Sequence, residues 1–299
     1  MRYFKPSLPP VAVLLEPPRL MALRVASASK DPSPLVKHEE PLPHGDGSYL
    51  CSGAAPEGSV ASLLTRLGEP RKISLVVGDP FFRSQIITLP EFPRKEEERQ
   101  QLLLWHLRKS LNLPIDGTRL RYEILGRSGA EATLWLTLCG EEWVRDLESQ
   151  FEKHGCEVGH VGVSSVELYN LALAKNRIPG EGACLLINRV PGYLSLLFVQ
   201  GGNPLFFRSR ETLLDGEEDG AHRIAQELRL TLAYHREKLG GQRLEKVLLR
   251  RYPEGLSLPL EEVLEEGTPV ENLEEGMAPL PNGQRRGAEW LPLYGLMEG

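Results

Sequence analysis

Cys156 and His160, with His154 just ahead of them, have the residue types of a soft metal site, thiolate and imidazole. A tetrahedral site needs four such ligands, usually as two close pairs, and no second pair accompanies this one. The spacing therefore favours a buried thiol beside surface histidines. Asp215-Gly-Glu-Glu-Asp219-Gly220 begins like a calcium loop, but Gln226 stands where a bidentate glutamate is required. An acidic start to the following helix explains the run as well. Ser164-Ser165 could offer a nucleophile, yet no Gly-x-Ser-x-Gly elbow surrounds it, and capping a helix N-terminus is the expected role. His222 and His235 are separated by about three and a half helical turns, so they cannot converge on one substrate, and both are expected to be solvated. No stretch reads Asp-x-Gly or Gly-x-x-x-x-Gly-Lys, the usual phosphate-binding patterns.

The chain around these residues has 299 positions, enough to bury large cores without disulfide or metal staples. With 41% hydrophobic and 25% charged residues it has the composition of a folded body rather than a disordered one. The formal net charge is −6 and the basic residues are scattered, which argues against a nucleic-acid partner. Four cysteines (Cys51, Cys139, Cys156, Cys184) show no paired spacing, so reduced thiols in a cytosol are expected. Met1 to Lys5 imitates a secretory signal, but Pro9, Pro10, Glu16, Pro17 and Arg19 interrupt the apolar core such a signal needs. No run approaches the ~18 to 20 apolar residues that cross a bilayer. Any membrane association is expected to go through a partner.

The elements that must position the chemistry come in a repeated order. Val11 to Glu16 and Leu20 to Ala26 read as two strands around Pro17-Pro18-Arg19, since the prolines cannot join a ladder. A third strand follows between Leu35 and Leu42, a helix over Ser59 to Leu67 and a strand over Ile73 to Val77. The order returns with strands at Cys184 to Asn188, Tyr193 to Gln200 and Leu205 to Arg210, a helix from about Asp219 to Leu239, and a strand over Val247 to Leu249. A short helix over Glu261 to Glu266 and one more strand from Pro269 are expected after it.

Between the halves the order differs: a strand over Ser84 to Leu89, a helix over Pro93 to Leu111, strands over Arg119 to Leu125 and Glu131 to Cys139, and a helix over Glu141 to His154. Leu103, Leu104, Leu107 and Leu111 on one helix, with Trp143, Leu147 and Phe151 on the other, are expected to face a common sheet. This reads as a small α+β insert. The expected organisation is an α/β chain with a first lobe at 1–80, to which 156–180 returns, an inserted subdomain at 81–155 and a second lobe at 181–299.

In this order the chain resembles the type IV pilus assembly protein PilM family, relatives of the cell-division protein FtsA in the actin and sugar-kinase superfamily. The resemblance is carried by Gln85-Ile-Ile-Thr-Leu-Pro90, the helix after it with Leu113-Pro114, and Cys156 to Ala174 with its Ser164-Ser165 step. Gly202-Asn-Pro-Leu-Phe-Phe-Arg208 and the closing helix Trp290 to Gly299 add to it. It implies a duplicated, two-lobed actin-like (ribonuclease H-like) fold.

ATPases of this fold carry an acidic residue followed by glycine and small hydroxyl residues in each hairpin, so that backbone N–H groups approach phosphates while the carboxylate positions Mg²⁺. Aligned on that pattern, Leu14 falls at the first aspartate, Glu16 at the glycine, and Pro17 and Pro18, of which neither offers an N–H, at the serines. Asn188 falls at the second aspartate, Val190 at its glycine and Pro191 just beyond. Where a glycine pair would cradle adenosine stand Arg251 and Tyr252, whose side chains are expected to fill that room. Glu16 would add a negative charge beside any phosphate.

The resemblance thus implies a non-catalytic cytoplasmic scaffold of a type IV pilus or related secretion platform, with no catalytic, cofactor or metal residues. Its implied partner is the cytoplasmic tail of an inner-membrane PilN-like protein. Two alternatives stay open: a divergent member that binds ATP and Mg²⁺, and the actin-like part of a type II secretion platform.

Overall fold

The computed structural model describes residues 8–16, 19–25, 34–41, 57–111, 116–212, 220–277 and 286–298. Met1 to Lys5, Pro17, Pro18, Cys51, Leu113-Pro114, the acidic run Asp215 to Asp219 and the loop residues 281–285 lie outside the described residues.

Strands β1 (Val11–Glu16), β2 (Arg19–Val25) and β3 (Pro34–Pro41), helix α1 (Glu57–Arg66) and strand β4 (Lys72–Val77) form the first unit. Strand β5 (Arg83–Leu89), helix α2 (Glu96–Leu111), strands β6 (Thr118–Ser128) and β7 (Glu131–Gly140) and helix α3 (Glu141–Glu152) follow, and β8 (Glu157–Val163) and α4 (Ser164–Ala174) return to the first unit. The second unit runs β9 (Ala183–Val190), β10 (Tyr193–Gln200), β11 (Asn203–Glu211), α5 (Gly220–Lys238), β12 (Leu244–Arg251), β13 (Val270–Asn272) and α6 (Leu291–Glu298).

The two five-stranded sheets have matching orders, β3-β2-β1-β4-β8 and β11-β10-β9-β12-β13. In each, the first strand is antiparallel to the second and parallel to the fourth. The repeated order read from the sequence is thus a duplicated α/β topology. Central strands β1 and β9 are buried at every residue, because each sheet is covered on both faces. On the outer faces, α1 and α3 cover the first sheet through Val60, Leu63, Leu147 and Phe151, and α5 covers the second through Ile224 and Leu228. On the inner faces one continuous core, including Leu14, Val76, Leu171, Leu186, Leu248, Leu293 and Tyr294, joins the lobes around α4 and α6.

β5, β7 and β6 form a separate three-stranded antiparallel sheet, against which α2 packs Leu103 and Leu107. Helix α3 touches β6 and β7 but buries its apolar face elsewhere, contrary to the sequence expectation. Leu147 and Phe151 enter the first lobe's core, and Trp143 stacks on Phe81 at 4.8 Å. Periodicity marks which helix face is apolar, but not which of two neighbouring sheets will cover it. The expected helix at Glu261 to Glu266 is also absent: the segment forms turns. Seven residues between Pro259 and Gly267 are too few to repay helix nucleation.

Candidate functional site

The ends of β1 and β9 meet across the two lobes, and the side chains there form one buried polar network. Glu16, the last residue of β1, is 4% exposed, and Arg250 on β12 is fully buried. Parallel pairing of β9 and β12 sets Arg250 beside Asn188. The guanidinium takes the carboxylate as a fork: Nη1 donates to Glu16 Oε1 at 2.9 Å and Nη2 to Oε2 at 2.7 Å. Its remaining N–H groups donate to Asn188 Oδ1 at 3.0 Å, Ala288 O at 2.8 Å and Glu289 O at 3.2 Å. All five guanidinium donors are therefore answered. Glu16 Oε1 also accepts from Tyr193 Oη at 2.5 Å and Ser164 Oγ at 3.1 Å.

Asp79, in the 3₁₀ turn after β4, is the second buried carboxyl of the network. Its Oδ1 accepts from the Ser165 backbone N–H at 2.9 Å, and its Oδ2 from Ser165 Oγ at 2.5 Å and Asn188 Nδ2 at 3.1 Å. Burial raises both carboxyls, but for Glu16 the charge and hydrogen bonds of Arg250 outweigh it and hold the group below its ordinary value. Asp79 stays above its ordinary value, because burial outweighs the Ser165 hydrogen bonds and the charge of Glu16 adds to it. Burial, and then the charges of Glu16 and Asp79, push the Tyr193 phenol well up, so it serves as a donor.

The structure places the sequence candidates as follows. Leu14 lies in the interlobe core and Val190 is buried at the end of β9, so neither presents a polar group. Glu16 and Asn188 belong to the network. Glu16 is not a bare negative charge: it is paired with Arg250. Arg251 and Tyr252 are partly buried, and Tyr252 packs against the interlobe core. Successive strand residues point to opposite faces, so Arg250 and not its neighbour Arg251 reaches Glu16. In the second hairpin Pro191 and Gly192 form a two-residue turn, with Gly192 at φ 86°, a position suited to glycine.

Ser164 and Ser165 do not cap α4. Val163 is the N-cap, and the two hydroxyls, in the first turn, donate to Glu16 and Asp79 instead. His235 is not solvated: it is 3% exposed and stacks on Phe198 at 4.3 Å. Cys156 is buried, with its thiol pushed up to about 11 by burial and then by Glu157, and His154 is exposed. Cys156 and His160 are ~13 Å apart along extended backbone, too far to share an ion. No group of three or more metal-ligating side chains occurs among the described residues.

Sequence reasoning missed Asp79, Tyr193 and Arg250. A signal was present: Arg250 closes an apolar strand and Asp79 follows one, and a charge in such a place needs a buried partner.

No protein-family model matches the sequence, and no curated protein does. Solved structures do. A chain of a PilM–PilN type IV pilus biogenesis complex is 18% identical, with 97% of this chain and 98% of that one covered at a TM-score of 0.74. The cytoplasmic domain of EpsL, an inner-membrane component of the type II secretion system of Vibrio cholerae, is 10% identical, with 97% and 94% covered at 0.57. A Bacteroides thetaiotaomicron protein with an actin-like ATPase fold is 11% identical, with 96% and 94% covered at 0.55. With the matched sheet orders, the two hairpins and the inserted three-stranded sheet, these likenesses establish that the chain has the actin-like ATPase fold.

Proposed function

We propose that this chain is a non-catalytic cytoplasmic scaffold of a type IV pilus or related secretion platform, which binds the cytoplasmic tail of an inner-membrane PilN-like protein and uses no nucleotide. One observation carries the non-catalytic part: the Glu16–Arg250 pair, with Asn188, Asp79 and Tyr193, fills the space between the two hairpins where this fold would hold phosphates. An anion binding there would have to part Arg250 from Glu16 and leave a buried carboxylate unpaired. The likeness to a chain of a PilM–PilN complex supports the partner. Among the described residues no helix is long and apolar enough to cross a membrane, which is compatible with attachment through such a partner. The likeness to the cytoplasmic domain of EpsL supports a second reading, the corresponding part of a type II secretion platform.

Calorimetric titration with ATP and Mg²⁺ tests the first part: no heat of binding is expected up to millimolar nucleotide, and micromolar affinity would point to the divergent ATPase instead. Titration with peptides from the cytoplasmic tails of neighbouring membrane proteins tests the second. Saturable binding by one of them is expected, and absence of binding by all would sink the partner assignment.

A further inference from the structure

Glu16 and Ser164 belong to the first lobe, and Arg250, Tyr193 and Asn188 to the second. Several of the network's hydrogen bonds therefore cross the cleft, including the two arms of the ion pair and the contacts of Tyr193 to Glu16 and Asn188 to Asp79. Arg250 also grips the backbone just ahead of α6, at Ala288 O and Glu289 O. We propose that the Glu16–Arg250 pair is an internal tie that takes the structural place of a bridging ligand. It holds the lobes at one separation without nucleotide, so the cleft opens by rupture of this pair and not by ligand exchange.

The tie resists single competitors of either sign. A phosphate that captures Arg250 strands the Glu16 carboxylate, and a cation that captures Glu16 strands the guanidinium; each leaves an unpaired charge in a closed, fully buried site. Arginine keeps its charge at every accessible pH, so the cationic half cannot be switched off by deprotonation. Two further contacts brace the same cleft: α4 crosses α6 at Gly295, and Tyr169 of α4 donates to Gly202 O in the turn before β11 at 2.7 Å.

This proposal rests on the non-nucleotide reading above, and one experiment separates the two. Hydrogen exchange followed by mass spectrometry on the full chain compares wild type with Glu16→Gln, which is nearly isosteric, and Arg250→Met. Both variants are expected to raise exchange at residues 288–298 about tenfold or more, by local opening, while the β5–β7–β6 sheet keeps its protection. Unchanged exchange at 288–298 in a folded Glu16→Gln protein, or a rise spread evenly over the chain, would overturn the tie alone. Protection of the wild-type cleft by added ATP and Mg²⁺ would overturn the non-nucleotide reading and the tie with it. If Arg250→Met does not fold, Glu16→Gln decides the matter.

Discussion

Arg250 and Glu16 stabilise the folded chain only as a pair. Loss of one partner leaves the other charged and buried, whereas loss of both leaves only neutral groups, among them Tyr193, Ser164 and Asn188, without these partners. Arg250→Met is expected to lower the unfolding free energy by ~3 to 5 kcal/mol in urea titrations, and the double variant Glu16→Leu/Arg250→Met to recover more than half of that loss. Additive losses would show that the two side chains are not coupled.

His235 gives this lobe a titration of its own. Burial, and then Arg236, hold the imidazole below its ordinary value of 6.5. The unfolded chain then binds the proton more readily than the folded one, so stability present above pH 6.5 is lost as pH falls below it. Glu16, also held low, loses its contribution in a separate window, below its ordinary 4.5. Between pH 7 and 5.5 the urea midpoint of wild type is expected to fall more than that of His235→Phe, which keeps the stack on Phe198 without the titrating ring. Equal slopes would remove His235 from the account.

At the scale of elements, the lobes are joined where α4 and α6 cross. A Cβ on Gly295 would lie 1.9 Å from the Glu167 carbonyl oxygen, a backbone atom that cannot rotate away. Gly295→Ala must therefore separate the helices. It is expected to cost at least about 3 kcal/mol, the upper end for overpacking by a methyl group. Gly220→Ala, where nothing among the described residues lies within 4 Å, should stay within ~0.5 kcal/mol of wild type. A Gly295→Ala protein as stable as its control would mean that the helices can slide past one another. Most of the strands and longer helices were legible from apolar runs and turn residues, because those signals are local. The face of α3 was misassigned because both candidate sheets offer apolar surface, and choosing between them takes long-range contacts.

For the molecule as a whole, the insert is bound to both lobes. Trp135 of β7 is 5% exposed, and its ring lies 6.4 Å from that of Tyr169 on α4 and 5.7 Å from that of Phe207 on β11. β5 runs against β11 beside this contact. Arg119 of β6 adds a second attachment, through Glu141 and Glu148 of α3 at 2.9 and 2.8 Å. Trp135→Ala is expected to cost ~3 to 5 kcal/mol by removing a large buried ring. It should also make the insert more susceptible to limited proteolysis than the lobes. Uniform susceptibility across the chain would mean that Trp135 matters only as bulk core.

By itself the sequence determined the duplicated order of strands and helices and the insert between the halves. Each of these is written in neighbouring residues, as periodicity and turn chemistry. Tertiary structure alone decided that Arg250 pairs with Glu16, and that Ser164 and Ser165 serve two carboxyl groups rather than a helix end. Glu16 and Arg250 are 234 positions apart and meet only when the lobes close on one core, so no local pattern could have paired them.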